Sequence, residues 1–354
     1  METRKLGRTG MVVSAIGLGM EHFHPAPENI APALHRAIDL GINYVDLMIW
    51  TPHDKDAFGA ALKGCRDKVL LANHLGAAET KGMYRRSRDV AECEALFHDW
   101  LRRMGTDYVD VLLITYLDAP KDYRQVLEPC GVMELALRLK REGKARAIGL
   151  SGHDPKTAMR AIHDGYMDVV MHPVHIANAH DQERAQLSEL CARAGVGLVA
   201  MKPFAGGELL QGDRPVTPAR CLHYALSQPG ISVALMGAKN VEELQTNLAY
   251  LTATDEEKDF AAALREFQKG LEGACTSCNH CQPCPSEIDI ATVMRILATA
   301  DRAGVFSDLR EDYAALPAPA SDCTECGLCE ERCPFGVEVI AKMQKAVKLF
   351  EAGA

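Results

Sequence analysis

Apolar and polar positions along residues 12–251 follow one repeating pattern. Short, continuous apolar runs lie at 14–19, 44–48, 69–74, 109–115, 147–152, 168–174, 197–202 and 232–237. Unbroken runs, rather than alternating ones, suit parallel strands covered on both faces. Between them lie amphipathic stretches at 28–40, 56–63, 89–104, 132–142, 155–163, 181–194, 217–227 and 241–250. Thr217-Pro218 reads as a helix entry, and Gly41, Gly105, Gly143 and Gly195 read as exits. Eight strand–helix units over this length predict an α/β fold, a (β/α)8 TIM barrel. A doubly wound open sheet is the alternative. No Gly-x-Gly-x-x-Gly follows a strand and opens a helix, which counts against it.

Beyond the barrel the pattern changes. A polar helix is expected at 255–270, a helical stretch at Ile290–Arg302, a Pro/Ala linker at Leu316–Ser321 and a last helix at about 337–351. The expected domains are a barrel over 1–254, a connecting helix over 255–273 and a small, mainly α-helical, cysteine-rich domain over 274–354.

Composition narrows the class. The chain has 354 residues, 47% hydrophobic and 25% charged, with a formal charge of −9. That is ordinary for a globular protein and gives no reason to expect a nucleic-acid or anionic-membrane surface. No apolar run approaches the length of a membrane span, and the first residues show no apolar export segment. A cytoplasmic protein is expected.

Thirteen cysteines change the picture. Cys65, Cys93, Cys130, Cys191 and Cys221 are scattered, whereas the other eight fall within 275–333. The second group reads Cys323-x2-Cys326-x2-Cys329-x3-Cys333-Pro334. This is the bacterial ferredoxin spacing, in which three thiolates hold one cubane cluster and the fourth reaches the other. The first group reads Cys275-x2-Cys278-x2-Cys281-x2-Cys284-Pro285, one residue shorter at the last gap. Two [4Fe–4S] clusters are expected. Structural zinc prefers two pairs with a longer spacer and fits less well. His280 lies inside the first loop but is not needed as a ligand.

The barrel sequence carries a family resemblance. The segments RKLGRTGMVVSAIGLGM, INYVDLM, RDKVLLANHLG, GTDYVDVLLITY, GKARAIGLSGH, DVVMHPVHIAN, GVGLVAMKPFAGGELL and GAKNVEELQTNL, in that order, resemble the aldo-keto reductases. The tail resembles the ferredoxin-type extension of one branch of that family. The resemblance implies NADPH-dependent carbonyl reduction at the C-terminal mouth of the barrel, with Asp, Tyr, Lys and His at four strand ends. The aspartate corresponds to Asp46, but the tyrosine position is Thr51, the lysine position His74 and the histidine position Thr115. A threonine hydroxyl is too weak an acid to replace a tuned phenol. Tyr116 follows Thr115, yet strand alternation points it away unless the strand end bends.

The nicotinamide contacts implied by the resemblance are also altered. The Ser-Asn pair after strand five reads Ser151-Gly152, the strand-six glutamine is Met171 and the strand-seven tyrosine is Met201. Ser151 keeps the serine of that pair, and the phosphate side is better kept, so Ser151, Lys202, Gly237, Lys239 and Asn247 are the candidates for NADP(H).

Histidines crowd the predicted strand ends: His22, His24, His53, His74, His153, His172 and His175. The leading expectation makes His74 the proton donor, oriented and charged by Asp46, with His153 and His175 nearby as substrate or supporting groups. A metal bound by several of these histidines is the competing expectation.

The sequence thus leads to an iron–sulfur oxidoreductase of a small organic substrate. The clusters relay electrons from a partner such as a ferredoxin or flavoprotein. Three other classes stand beside it: an NADPH-dependent carbonyl reductase with structural clusters, a non-redox lyase or isomerase, and a catalytically silent electron-transfer or assembly protein.

Overall fold

A computed structural model describes residues 1–23, 26–49, 51–80, 83–118, 120–211, 216–269, 273–275 and 279–351. His24 and Cys278 lie outside the described residues. The chain divides into two compact units, Met1–Ile176 with Gln186–Ala261, and Ala177–Ala185 with Ala262–Ala354.

In the first unit, eight strands close a barrel. They are β1 (Ile16–Gly19), β2 (Tyr44–Leu47), β3 (Leu70–Leu75), β4 (Val109–Thr115), β5 (Ala145–Ser151), β6 (Val169–Pro173), β7 (Gly197–Met201) and β8 (Ile231–Gly237). Every neighbouring pair is parallel, and β8 closes on β1 through Ala234 opposite Ile16. The strands read as continuous apolar runs because helices cover one face and the barrel interior the other.

Helices follow the strands: Ile30–Asp39, Pro52–Ala61, Val90–Met104, Val132–Arg141, Pro155–His163, Gln182–Ala194, Pro218–Ser227 and Val241–Asn247. Local chemistry starts them where the sequence says. Asp89 accepts the Glu92 N–H at 2.7 Å and Asp154 that of Thr157 at 2.8 Å. Pro52, Pro155 and Pro218 occupy first-turn positions where the missing N–H costs nothing. Gly105 closes Val90–Met104 in the left-handed conformation (φ 63°).

Tyr44, Ala72, Val111, Leu113, Ala147, Val169, Val199 and Val233 fill one buried cluster inside the barrel. Leu6, Met11 and Val13, from the hairpin of Thr3–Lys5 with Val12–Ser14, join it. In this unit the described residues add that hairpin and two further elements that the apolar pattern did not predict. One is the antiparallel pair Ala77–Thr80 with Met83–Arg86, and the other is the helix Pro120–Val126.

The second unit has its own core, including Ile288, Val293, Leu297, Tyr313, Phe335, Val337 and Met343. Its helices include Ile290–Ala303, Ser307–Ala314 and Val339–Ala346, the last continuing as a π turn to Glu351. Tyr313 stacks on Phe350, receives the Ala320 N–H at 2.9 Å, and donates to Glu351. The polar stretch after the barrel forms two helices, Asp255–Lys258 and Ala261–Lys269, rather than one. No helix among the described residues is long and apolar enough to cross a membrane.

Candidate functional site

Side chains alternate along a strand, so positions two apart share a face. Tyr44, Ala72 and Leu113 belong to the interior cluster, and two residues further on stand Asp46, His74 and Thr115. The interior of β2, β3 and β4 therefore ends in three polar side chains at the C-terminal mouth. They form one line. His74 Nε2 lies 2.8 Å from Asp46 Oδ1, and His74 Nδ1 lies 3.1 Å from Thr115 Oγ1. Asp46, His74 and Thr115 are 4%, 7% and 1% exposed. The carboxylate accepts the Nε2 proton, so the neutral ring leaves its Nδ1 lone pair to the threonine hydroxyl. In the imidazolium form both ring nitrogens donate.

Thr51 stands where a tyrosine is expected from the resemblance, and it is occupied locally. It caps Pro52–Ala61, accepting the Asp54 N–H at 3.3 Å while its hydroxyl donates to the Asp54 carboxylate. Tyr116 departs from strand alternation. β4 stops at Thr115, and Tyr116 turns into the left-handed region with φ 53°. Arg88 secures this turn by donating to the carbonyls of Thr115 at 2.9 Å and Tyr116 at 3.0 Å. The Tyr116 ring meets Tyr84 at 4.9 Å and His153 at 6.0 Å between centroids. Burial, with Glu21 and Asp118 adding to it, pushes its phenol up to about 12.

His153 does not join Asp46 and His74. Its backbone N–H donates to Asp118 Oδ1 at 2.6 Å, and its Nδ1 lies 3.1 Å from Asp118 Oδ2. Its Nε2 meets Lys202 Nζ at 3.2 Å. His153 outweighs the effect of burial on Asp118 and holds that carboxyl below its usual range. Lys202 has φ 55°, a sparsely populated conformation for a side-chain-bearing residue. The substitution of the expected Asn by Gly152 has a steric reason. A Cβ at that position would stand 2.7 Å from the Leu117 carbonyl oxygen.

The remaining candidates are dispersed. Ser151 is buried, its carbonyl accepting the Leu117 N–H at 3.2 Å. Asn247 is also buried and donates to the Gly237 carbonyl at 2.9 Å, tying the end of β8 to a helix. His22 lies over Gly237, where a Cβ would meet its ring at 2.5 Å. Lys239 has an exposed side chain, and its N–H donates to Glu243 at 2.9 Å. His175 is half-buried after β6, His172 is buried within it, and His53 is exposed on Pro52–Ala61. Among the described residues no group of three His, Cys, Asp or Glu side chains is gathered for a single metal ion. Thr115, Asp118 and Arg88 were not singled out as functional from sequence. Thr115 registered only as a replaced histidine, and the other two carry no local signal.

In the second unit the cysteines line two recesses. One takes Cys323, Cys326 and Cys329 together with Cys284 of the other group. The second takes Cys275 and Cys281 together with Cys333, and Cys281 borders both. One recess thus joins three cysteines of the second group with the last of the first, and the other joins two described cysteines of the first group with the last of the second, the crossing that the ferredoxin spacing implies. Ile290 and Val339 wall both recesses, while Cys275 in one and Cys326 in the other are exposed.

Comparison with known proteins agrees with both units. Residues 15–220 match the family described as Aldo/keto reductase family, and residues 274–342 match the 4Fe-4S dicluster domain. L-galactose dehydrogenase of Arabidopsis thaliana is 28% identical over 71% of this chain and 88% of its own length. L-glyceraldehyde 3-phosphate reductase of Escherichia coli K12 is 25% identical over 59% of this chain and 63% of its own. The holo form of the aldo-keto reductase AKR11C1 from Bacillus halodurans shares the fold, with a TM-score of 0.62 at 24% identity, covering 75% of this chain and 96% of that one.

Proposed function

Because the chain belongs to the aldo/keto reductase family and ends in a 4Fe-4S dicluster domain, we propose an iron–sulfur oxidoreductase whose proton chemistry at the barrel mouth is carried by Asp46 and His74. It is an oxidoreductase, and its relatives are named as dehydrogenases and reductases. The proposal extends this to a small organic carbonyl or alcohol. The observation that carries it is the 2.8 Å contact of His74 with Asp46 at the ends of adjacent strands.

In the reducing direction the substrate's carbonyl takes up two electrons and two protons. The electrons come singly from the reduced partner, with the carbon's proton from solvent, or together with the carbon's hydrogen as hydride from NADPH. In either case the oxygen needs a proton. Asp46 holds the Nε2 proton of His74, so the proton available for transfer is on Nδ1. Thr115 stands there, and its hydroxyl passes a proton to the substrate oxygen as it takes the Nδ1 proton. Asp46 stabilises the imidazolium before transfer and keeps the ring oriented afterwards. The low exposure of all three strengthens their hydrogen bonds.

Cys275, Cys278, Cys281 and Cys333 would hold one [4Fe–4S] cluster, and Cys323, Cys326, Cys329 and Cys284 the other. Such clusters, when bound, accept and release single electrons. The proposed electron partner is a ferredoxin or flavoprotein, and the proposed compartment is the cytoplasm. Carbonyl reduction by NADPH is the second reading. The exposed Lys239 and the reductases among the relatives favour it.

The test is His74→Gln, assayed anaerobically against aldehydes and sugars with either dithionite-reduced protein or NADPH. Turnover should vanish while iron content stays that of the parent and the protein still unfolds cooperatively. Undiminished turnover would defeat the proposal, and activity with NADPH alone would select the second reading.

A further inference from the structure

The barrel mouth carries a second polar group, built from the loops after β4, β5 and β7. Lys202 is its cation. The side chain is exposed, yet its Nζ lies 3.2 Å from His153 Nε2. Asp118 takes the Nδ1 hydrogen and the backbone N–H of the same histidine. Where the ring gives its Nδ1 hydrogen to Asp118, its Nε2 offers a lone pair to Lys202. That contact fixes the ammonium in place but supplies no opposite charge. Among the described residues no carboxylate pairs with Lys202.

The backbone is shaped for this arrangement. Lys202 sits at φ 55° and is closed by the Ala205 N–H to its carbonyl at 2.8 Å. A residue held in that region costs about 1–3 kcal/mol and persists where the surroundings determine it. Gly152 leaves the space into which Leu117 and Asp118 fit. The phenol of Tyr116, whose ring is 6.0 Å from that of His153, stays protonated and can donate.

We propose that Lys202 is the anchor for a carboxylate on the substrate, with His153 and Asp118 as the residues that position it. This rests on the reading of the barrel mouth as the substrate site, and it names the substrate class as small organic acids. The number of donors decides between a carboxylate and a phosphate. Phosphate sites gather several N–H donors, often at a helix N-terminus. Here one ammonium faces the ligand, and the fixed charge of Asp118 lies behind the imidazole. Glu21 adds negative potential at Tyr116. Arg86 also acts on Asp118, so it is the single ammonium at the ligand, not the sum of charges, that suits a monoanionic carboxylate better than a phosphate needing several donors.

Saturation-transfer NMR on the anaerobically prepared, cluster-loaded full chain tests the assignment without turnover. The probes are pyruvate, glycolate and acetate, with methyl pyruvate as the uncharged counterpart and inorganic phosphate as competitor. At least one of the acids should bind about tenfold more tightly than the ester, and Lys202→Met should erase the difference. His74→Gln should retain the preference, so failure of the acid–base reading and failure of the anchor are distinguishable. Three results overturn the anchor: no preference for the acids in the parent protein, an acid preference that survives Lys202→Met, or displacement of the acids by phosphate at lower concentration. The last assigns the cation to a nucleotide instead. Lys202→Arg keeps the charge but not the contact geometry, and it should keep part of the preference.

Discussion

A Cβ on Gly152 would stand 3.2 Å from Asp118 Oδ1, so the missing side chain at one position is the room that the other occupies. The loops after β4 and β5 meet there, and the meeting sets the orientation of His153. Gly152→Ala should therefore destabilise the fold by about 1–3 kcal/mol, since the nearer obstacle is backbone and cannot swing away. Gly152→Asn, which restores the residue expected from the family resemblance, should be at least as harmful. Thermal unfolding measures the loss, and imidazole nitrogen chemical shifts report whether His153 still donates to Asp118.

This pair also marks where sequence reading stops. The eight strands were legible because both their faces are buried, which leaves unbroken apolar runs. Asp46 and His74 were singled out through the family resemblance and through their places at predicted strand ends. Asp118 was not, since it follows the strand in an irregular loop and only the close approach at Gly152 brings it to His153. Lys202 was expected at a cofactor phosphate, and its contact with His153 depends on a left-handed backbone that no apolar pattern encodes. The pair Ala77–Thr80 with Met83–Arg86 was missed because four-residue strands of mixed polarity give no stable period.

Thr115→Val keeps the shape and removes the hydroxyl from His74 Nδ1. The fold should survive with a loss of about 1–3 kcal/mol, the cost of a buried nitrogen left without its partner. Turnover should fall as steeply as in His74→Gln if the proton leaves through Thr115. Parental kcat in the Thr115→Val protein would show that the proton takes another route. Thr115→Ser should recover most of the activity.

Arg88 holds two carbonyls at the point where β4 gives way to Tyr116. Arg88→Met should cost about 2–4 kcal/mol, because two buried acceptors lose a charged donor at once. The left-handed turn at Tyr116 should relax, lowering activity through a weaker hold on Thr115. Amide exchange at residues 115–118 measures the change directly, and parental protection there would refute it.

Asp118 gives a pH prediction with a definite sign. Its carboxyl is held below the usual range, so its contribution to stability is complete above that range. Acidification removes it as the pH falls through the depressed value. Asp118→Asn should unfold more easily than the parent at neutral pH, and the two curves should converge in acid. Parallel curves down to the acid limit would show that the His153 contact carries no net stability.

The cysteine recesses make the sharpest prediction about the second unit, because sequence proximity and spatial grouping disagree. Cys284 follows Cys281 in the first group but lines the recess of Cys323, Cys326 and Cys329. Cys333 follows Cys329 but lines the recess of Cys275 and Cys281. Cys284→Ser should therefore disturb the centre held by the second group, and Cys333→Ser the centre held by the first. An oxygen ligand in place of sulfur alters the potential and the EPR signal of the cluster it touches. Cys323→Ser provides the reference signature for one centre and Cys275→Ser for the other. The spectrum of Cys284→Ser should match the former, and that of Cys333→Ser the latter. If each instead matches the reference from its own sequence group, the cysteines do not cross between the groups.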